Sequence, residues 1–235
     1  MDSATIETHN NEWKKILIQN YKKGQIMSND DLKTLVNDLD NVDVKIGDTP
    51  TKVKMGQYYD MTFTYKDKSY TKPIFMLKDV SIMSYKDFSN GHLLIRTDWE
   101  YEQNIYKLLW HIHTKLVDHF NKVPAHYCSL YEKYNCIKIE LPTTRNSSNE
   151  KQYDYDVIVD RNDGKINCAH NVVSLDGNKK CQQLNDMFDD DARISGCMIF
   201  GKIFCSNKLV SLKAQMLNIV VDKEEIKNPL FDLMN

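Results

Sequence analysis

At Pro50 the spacing of apolar residues changes, and that change constrains the fold more than any other feature of the chain. Before it, Trp13, Ile16, Leu17 and Tyr21 recur at helical intervals over residues 12–23. Leu32, Leu35, Val36 and Leu39 do the same behind Ser28 and Asp31, which resemble a capping box. Gly47-Asp48-Thr49-Pro50 breaks the pattern. Beyond it Tyr59, Met61, Phe63 and Tyr65 alternate with Asp60, Thr62, Thr64 and Lys66, the mark of a strand with one wet face.

Further strands are expected over residues 70–80, 92–97 and 135–141, and over 155–159 and 165–170 on either side of the turn Asp160-Arg161-Asn162-Asp163-Gly164. Residues 193–205 and 209–221 form the last two strands, joined by Ser206-Asn207-Lys208. One long helix interrupts them at residues 104–121, with Ile105, Leu108, Leu109, Ile112, Leu116 and Phe120 in one stripe. A shorter helix is expected at 179–189. The pattern predicts an α+β chain with a helical segment over 1–50, a strand-rich core over 51–225 and a short tail over 226–235. No apolar run approaches the roughly 18 residues of a membrane span, and residues 1–11 lack the apolar centre of a secretory signal, so we expect an intracellular protein.

Six cysteines in 235 residues are too few for a disulfide scaffold, and they form neither a CxxC pair nor a zinc-like spacing with histidine. Free thiols suit a reducing compartment. Catalytic motifs are missing as well: there is no Walker A, GxGxxG, GxSxG or HExxH. His111 and His113 point apart on a helix, and His126-Tyr127-Cys128 has no obvious further ligands. The Asp189-Asp190-Asp191 run reads as a solvated surface. We therefore expect no enzyme activity, no cofactor and no metal.

The net charge of −2 conceals a segregation of sign. Residues 1–50 carry nine acids against six bases, residues 51–96 eight bases against four acids, and residues 196–213 three lysines and no acid. Phosphate binding requires a local positive stripe and not a basic protein. Aromatic residues interleave with these cations: Lys52, Lys54, Tyr58, Lys66, Lys68, Tyr70 and Lys72; Arg96 with Trp99; and Phe200, Lys202 and Phe204. Ring faces for bases and cations for phosphates are what single-strand binding needs. Tyr59, Phe63 and Tyr65 read as core. Met198, Phe200 and Phe204 also suit a core, but Lys202 is expected on their face and an inward lysine is costly, so we read that face as partly wet.

Residues 188–225 (FDDDARISGCMIFGKIFCSNKLVSLKAQMLNIVVDKEE) resemble the closing strand pair of single-stranded DNA-binding proteins from large cytoplasmic DNA viruses of the poxvirus and asfarvirus type. The shared pattern is an apolar strand with small residues, a short turn, then lysines alternating with apolar residues into a Val/Ile run. The stretch from Tyr70 to Val117, with IFMLKDV, HLLIRT and a leucine-rich helix, is similar too, and the 155–170 hairpin fits the same layout.

The resemblance implies an OB-type β-barrel with the long helix inserted and helices at the front. It also implies sequence-independent coating of single-stranded DNA in viral replication, recombination and repair in the host cytoplasm, with replication proteins and self-association along the strand as partners and no membrane. The expected cations are Lys52, Lys54, Lys66, Lys68, Lys72, Lys78, Arg96, Lys202, Lys208 and Lys213; the expected stacking residues are Tyr58, Tyr70, Trp99, Phe200 and Phe204. Two rival readings stand beside this one. One is an adaptor whose helix stripe and acidic N-terminal segment meet other proteins. The other is an RNA binder, since nothing in the sequence reads a 2′-hydroxyl.

Overall fold

The computed structural model describes Gln19, Lys23 and residues 25–83, 92–124, 130–131, 135–141, 143–145, 151–153, 158–160, 167–168 and 192–222. The expected helix at 179–189, the Asp189-Asp190-Asp191 run, His126-Tyr127-Cys128 and the 226–235 tail lie outside them, as does the 12–23 helix but for two residues.

Helix α1 (Asn29–Val36) starts where Ser28 dictates: its Oγ accepts the Asp31 N–H at 3.1 Å. Leu32, Leu35 and Val36 face the core. A 3₁₀ turn leads into β1 (Val42–Ile46), which is followed by β2 (Thr51–Val53) and β3 (Gly56–Tyr65). β1 pairs antiparallel with β3, Val42 opposite Tyr65 through Ile46 opposite Met61. This corrects the helical reading for residues 42–46, which form a strand. Val42, Val44 and Ile46 alternate, and Leu32, Val42 and Met61 share one hydrophobic core.

The strand expected over 70–80 is two strands. After the Lys66-Asp67 turn comes β4 (Lys68–Tyr70), and β5 (Ile74–Met83) begins only past Pro73. The proline brings no N–H to a ladder. The Thr71 and Lys72 amides donate instead to Gln25 Oε1, at 2.8 and 3.1 Å. The first four residues of β5 are buried on both faces. Phe75 and Leu77 enter the main core; Ile74 and Met76 join Cys197 in a smaller cluster on the opposite face, flanked by Ile26, Ile199 and Leu217.

β6 (His92–Arg96) runs into α2 (Glu100–Phe120), and β7 (Val123–Pro124), β8 (Leu130–Tyr131) and β9 (Cys136–Glu140) follow. Ile105, Leu108, Leu109, Ile112 and Leu116 of the helix are fully buried. Each such side chain contributes about 1.5–3 kcal/mol. The stripe expected in the adaptor reading to meet other proteins is thus consumed by the fold. Asn121 closes the helix in the left-handed conformation, φ 47°.

Beyond these lie β10 (Thr143–Arg145), β11 (Lys151–Tyr153), β12 (Ile158–Asp160), β13 (Asn167–Cys168), β14 (Arg193–Cys205) and β15 (Leu209–Asp222). β12 and β13 pair antiparallel, as a hairpin over 155–170 requires. Among the described residues, thirteen strands join one sheet and β10 and β11 form a separate pair, so the fold is mixed α/β and mostly strand. β14 pairs with β15 along its length, while its other edge meets β5 and then β3. β5 pairs with β6, β6 with β9, and Gln215 of β15 bridges Glu140 of β9 in parallel. The pairings β14–β5–β6–β9–β15 thus return to β14.

Glu102 is a carboxyl in the first turn of α2 that is only 3% exposed, and its Oε2 accepts the Trp99 N–H at 3.2 Å. Burial holds its pKa above the usual carboxylate range, against the opposing pull of backbone N–H groups and Arg193. A raised folded pKa stabilises below the ordinary value, and that contribution is lost as pH rises through the raised one. Glu102→Gln keeps the acceptor and removes the titration. Its urea midpoint is expected to match wild type near about pH 4 and to exceed it near about pH 7. An unchanging gap across that range would contradict the assignment.

Candidate functional site

Alternation along β14 fails at one residue, and that failure creates the site. Met198 and Phe200 point into the core, and two-residue periodicity would send Lys202 and Phe204 after them. Instead the register against β15 shifts between Phe200 and Lys202, and Gly201 sits there at φ 144°. The bulge reverses the faces: Ile203 is buried in the core, while Lys202 is exposed and Phe204 half-buried. Phe200 and Phe204 therefore do not share a face, contrary to the sequence-based expectation. Lys202 keeps its wet side without any inward lysine.

Two of the expected stacking residues are core residues. Phe200 is 2% exposed, its ring stacked on Phe75 at 5.1 Å and 12°, with Phe63 at 6.0 Å. Tyr70 is 3% exposed and stacked on Phe63 at 4.9 Å. Neither offers a free ring face to a base.

On the outer face, Tyr58 lies opposite Phe204 across the β3–β14 ladder, with ring centroids 5.2 Å apart at 54°. The next row runs Asp60, Lys202, Lys213 across β3, β14 and β15. Tyr58, Lys72, Lys202, Lys213, Glu140, Gln215, Ile199, Phe200 and Gly201 line an open cleft of about 420 Å³. Like charges directly opposite on a sheet destabilise it, so Lys202 facing Lys213 is a cost that a purely structural face would avoid. Glu140 offsets part of it: its Oε1 lies 3.2 Å from Lys213 Nζ and 3.7 Å from His92 Nε2. Asp60, opposite Lys202, offsets a further part, and three lysines against these two carboxylates still leave the cleft and its margin positive within a chain of net charge −2.

The remaining expected residues are scattered. Lys52 and Lys54 are exposed on β2 and its turn into β3. Lys66 lies over the Tyr65 ring at 5.0 Å, and Lys68 pairs with Asp31 at 3.6 Å. Lys78 is exposed on β5, Arg96 at the end of β6, and Lys208 in the β14–β15 turn. Trp99 is 64% exposed where α2 begins. None of these lines the cleft, so the structure gathers Tyr58, Lys72, Lys202 and Lys213, with Phe204 against Tyr58. Sequence reading missed Glu140 and Gln215. Their signal was the same alternation, Cys136-Lys138-Glu140 and Lys213-Gln215, which sets each on the face of a neighbouring lysine.

A second concavity, about 570 Å³, lies between α2 and its surroundings, lined by Leu39, Tyr106, Lys107, Trp110, His111, Thr114 and Asn135. Its walls are mainly apolar and carry one lysine, so it lacks the charge that phosphates require. Burial, helped by Lys115, pulls the His111 pKa below its usual value.

Among the described residues no group of three or more His, Cys, Asp or Glu gathers as a metal site. Cys197 is fully buried with its Sγ 3.4 Å from Met76 Sδ, and burial pushes its thiol up to about 12. Burial raises the Cys136 and Cys205 thiols as well. All three are the opposite of an activated nucleophile.

Gly201 is the residue on which the arrangement turns. A Cβ there would stand 2.5 Å from Thr71 O, in a backbone conformation that L side chains avoid. Gly201→Ala is expected to lower unfolding free energy by about 1–3 kcal/mol, read as a shifted urea midpoint at unchanged slope. A midpoint equal to wild type would contradict this account of the bulge.

No protein-family model matches the chain and no curated protein matches it, so the reading of this cleft rests on its own chemistry.

Proposed function

We propose that the chain is a non-enzymatic, sequence-independent binder of single-stranded DNA, and that the cleft over β3, β14 and β15 is where it holds the strand. The observation that carries this reading is the outward pair Lys202 and Lys213, set opposite each other beside the Tyr58–Phe204 ring pair. Cations spaced along a groove follow a phosphate backbone, and adjacent rings stack on bases of any identity, at about 1–3 kcal/mol per base. Glu140 acts as a stand-in for phosphate, holding Lys213 until the strand displaces it.

The finer architecture we propose is an OB-type barrel. In the ring of pairings β5, β6, β9, β14 and β15 take the places of its five strands in chain order, with the parallel β9–β15 bridge as closure. Such barrels bind ligands on strands two and three and on the loops after strands one and four. The cleft touches that face at Glu140 and extends it across the last two strands. On this reading the chain is a relative of the viral single-strand binders it resembles, and it coats exposed DNA during replication, recombination and repair in a reducing compartment.

Fluorescence anisotropy of labelled oligo-dT, with duplex DNA and oligo-rU as competitors at several salt concentrations, tests the function. Tight, salt-sensitive binding that duplex displaces poorly is expected. Preference for oligo-rU would move the function to RNA, and no binding at low salt would remove the proposal. Lys202→Gln and Lys213→Gln are each expected to flatten the log–log salt dependence by about 0.7. Tyr58→Ala and Phe204→Ala are expected to weaken binding with the slope kept. Glu140→Gln is expected to tighten it by up to roughly fivefold, since it frees Lys213 and removes a negative charge; weaker binding by that variant would contradict the role given to Glu140.

A further inference from the structure

The β2–β3 hairpin ends in the most exposed apolar side chain of the described residues. Val53 pairs with Gly56, so Lys54 and Met55 alone form the turn. Met55 is 79% exposed and Val53 43%, and Lys52 and Lys54 are exposed beside them. Two-residue hairpin turns favour Asn, Asp and Gly for their backbone conformation. Neither Lys54 nor Met55 adopts the positive φ that creates that preference, so the backbone places no demand on either residue, and an exposed methionine gains nothing from burial. The fold alone therefore does not call for a methionine at this position.

The tip is continuous with the cleft. Thr51 lies opposite Tyr58 and Val53 opposite Gly56, so Val53 shares the outer face with Tyr58. A Cβ on Gly56 would stand 2.9 Å from the Phe204 ring, so that ring lies across the glycine with Tyr58 at its other side. A strand leaving the cleft over Tyr58 and Phe204 meets the hairpin tip next. There an unbranched, polarisable side chain follows Lys54 directly in the turn, while Lys52, opposite Gln57, belongs to the other face of the hairpin.

We propose that this tip is a wedge for nucleic acid: Met55 inserts between adjacent bases of the bound strand while Lys54, beside it in the turn, holds a neighbouring phosphate. Apolar side chains inserted between base steps unstack them, and methionine adapts to irregular gaps. The proposal rests on the cleft binding single strands and adds to it a defined point of unstacking. An anionic membrane would also take an apolar tip flanked by lysines. The continuity with Tyr58 and Phe204 favours the strand.

The test uses the full chain and oligo-dT carrying one 2-aminopurine beside an adenine, whose fluorescence rises when the pair unstacks. Wild type is expected to raise the signal on binding. Met55→Ser is expected to bind roughly fivefold more weakly or worse, with the salt slope kept and the rise lost, whereas Met55→Leu retains both. If Met55→Ser binds and unstacks like wild type while Lys202→Gln still weakens binding, the wedge is wrong and the cleft stands. If wild type binds no oligonucleotide, both fall. If vesicles of phosphatidylserine and phosphatidylcholine pellet wild type but not Met55→Ser, with oligonucleotide binding equal in the two, the tip serves a lipid surface and the wedge is overturned.

Discussion

The sheet depends on one strand that hydrogen-bonds along both edges and divides one of them between two partners. β14 pairs with β15 from Arg193 to Cys205, and on its other side with β5 through Ile199 and with β3 from Lys202 onward. The change of partner falls at Gly201, where the backbone comes close to Thr71 in the link between β4 and β5. A bulge bends a strand and increases its local twist, and here it falls where β14 changes partner. The bend that lets β14 serve two partners is also what turns Lys202 and Phe204 outward.

The opposite end of β14 is fastened by a second irregularity. Register against β5 shifts between Ile194 and Gly196, and Asp79 of β5 adopts φ 50°. Arg193 Nε meets Asp79 Oδ1 at 2.6 Å, its other nitrogens reach Asp79 O and Ser81 Oγ, and Ser195 Oγ accepts the Asp79 N–H at 2.8 Å. These bonds satisfy the backbone groups that a bulge takes out of the ladder. β14 is thus pinned where it starts by polar contacts, and at Phe200 by ring stacking on Phe75. The short outward segment between Gly201 and Cys205 is held at both of its edges by β3 and β15, so the side chains of the cleft stand on a rigid base.

Charge shows the same dependence on placement. Some acids of the first fifty residues are paired, Asp43 locally with Lys45 and Asp31 across the fold with Lys68, while Lys33 reaches Glu100 at the start of α2. Lys68 is thereby drawn toward α1 and away from the cleft, although its sequence neighbours made it look equivalent to Lys72. Lys202 and Lys213 are brought face to face by strand register, with Glu140 reaching Lys213 from a third strand. A tally of charges along the chain cannot tell these cases apart.

Much of the architecture was legible because it follows from local periodicity. The last two strands, the long helix with its buried leucine stripe, the HLLIRT and CIKIE strands and the Ser28 cap all stand where spacing and capping chemistry put them. β1 was legible in principle, since Val42, Val44 and Ile46 alternate, but its neighbours on the N-terminal side are helical and masked a five-residue signal. Tertiary structure alone decided which aromatic rings are wet. Phe200 and Phe204 look alike in sequence, and a single glycine that reverses the strand's faces buries one and presents the other. Likewise the contribution of Gln25 to the β4–β5 corner, and of Glu140 to the cleft, joins residues far apart in the chain. Periodicity is set by bonds between neighbours and can be read along the chain. Facing, pairing and charge balance are set by contacts across strands, and those exist only once the sheet has formed.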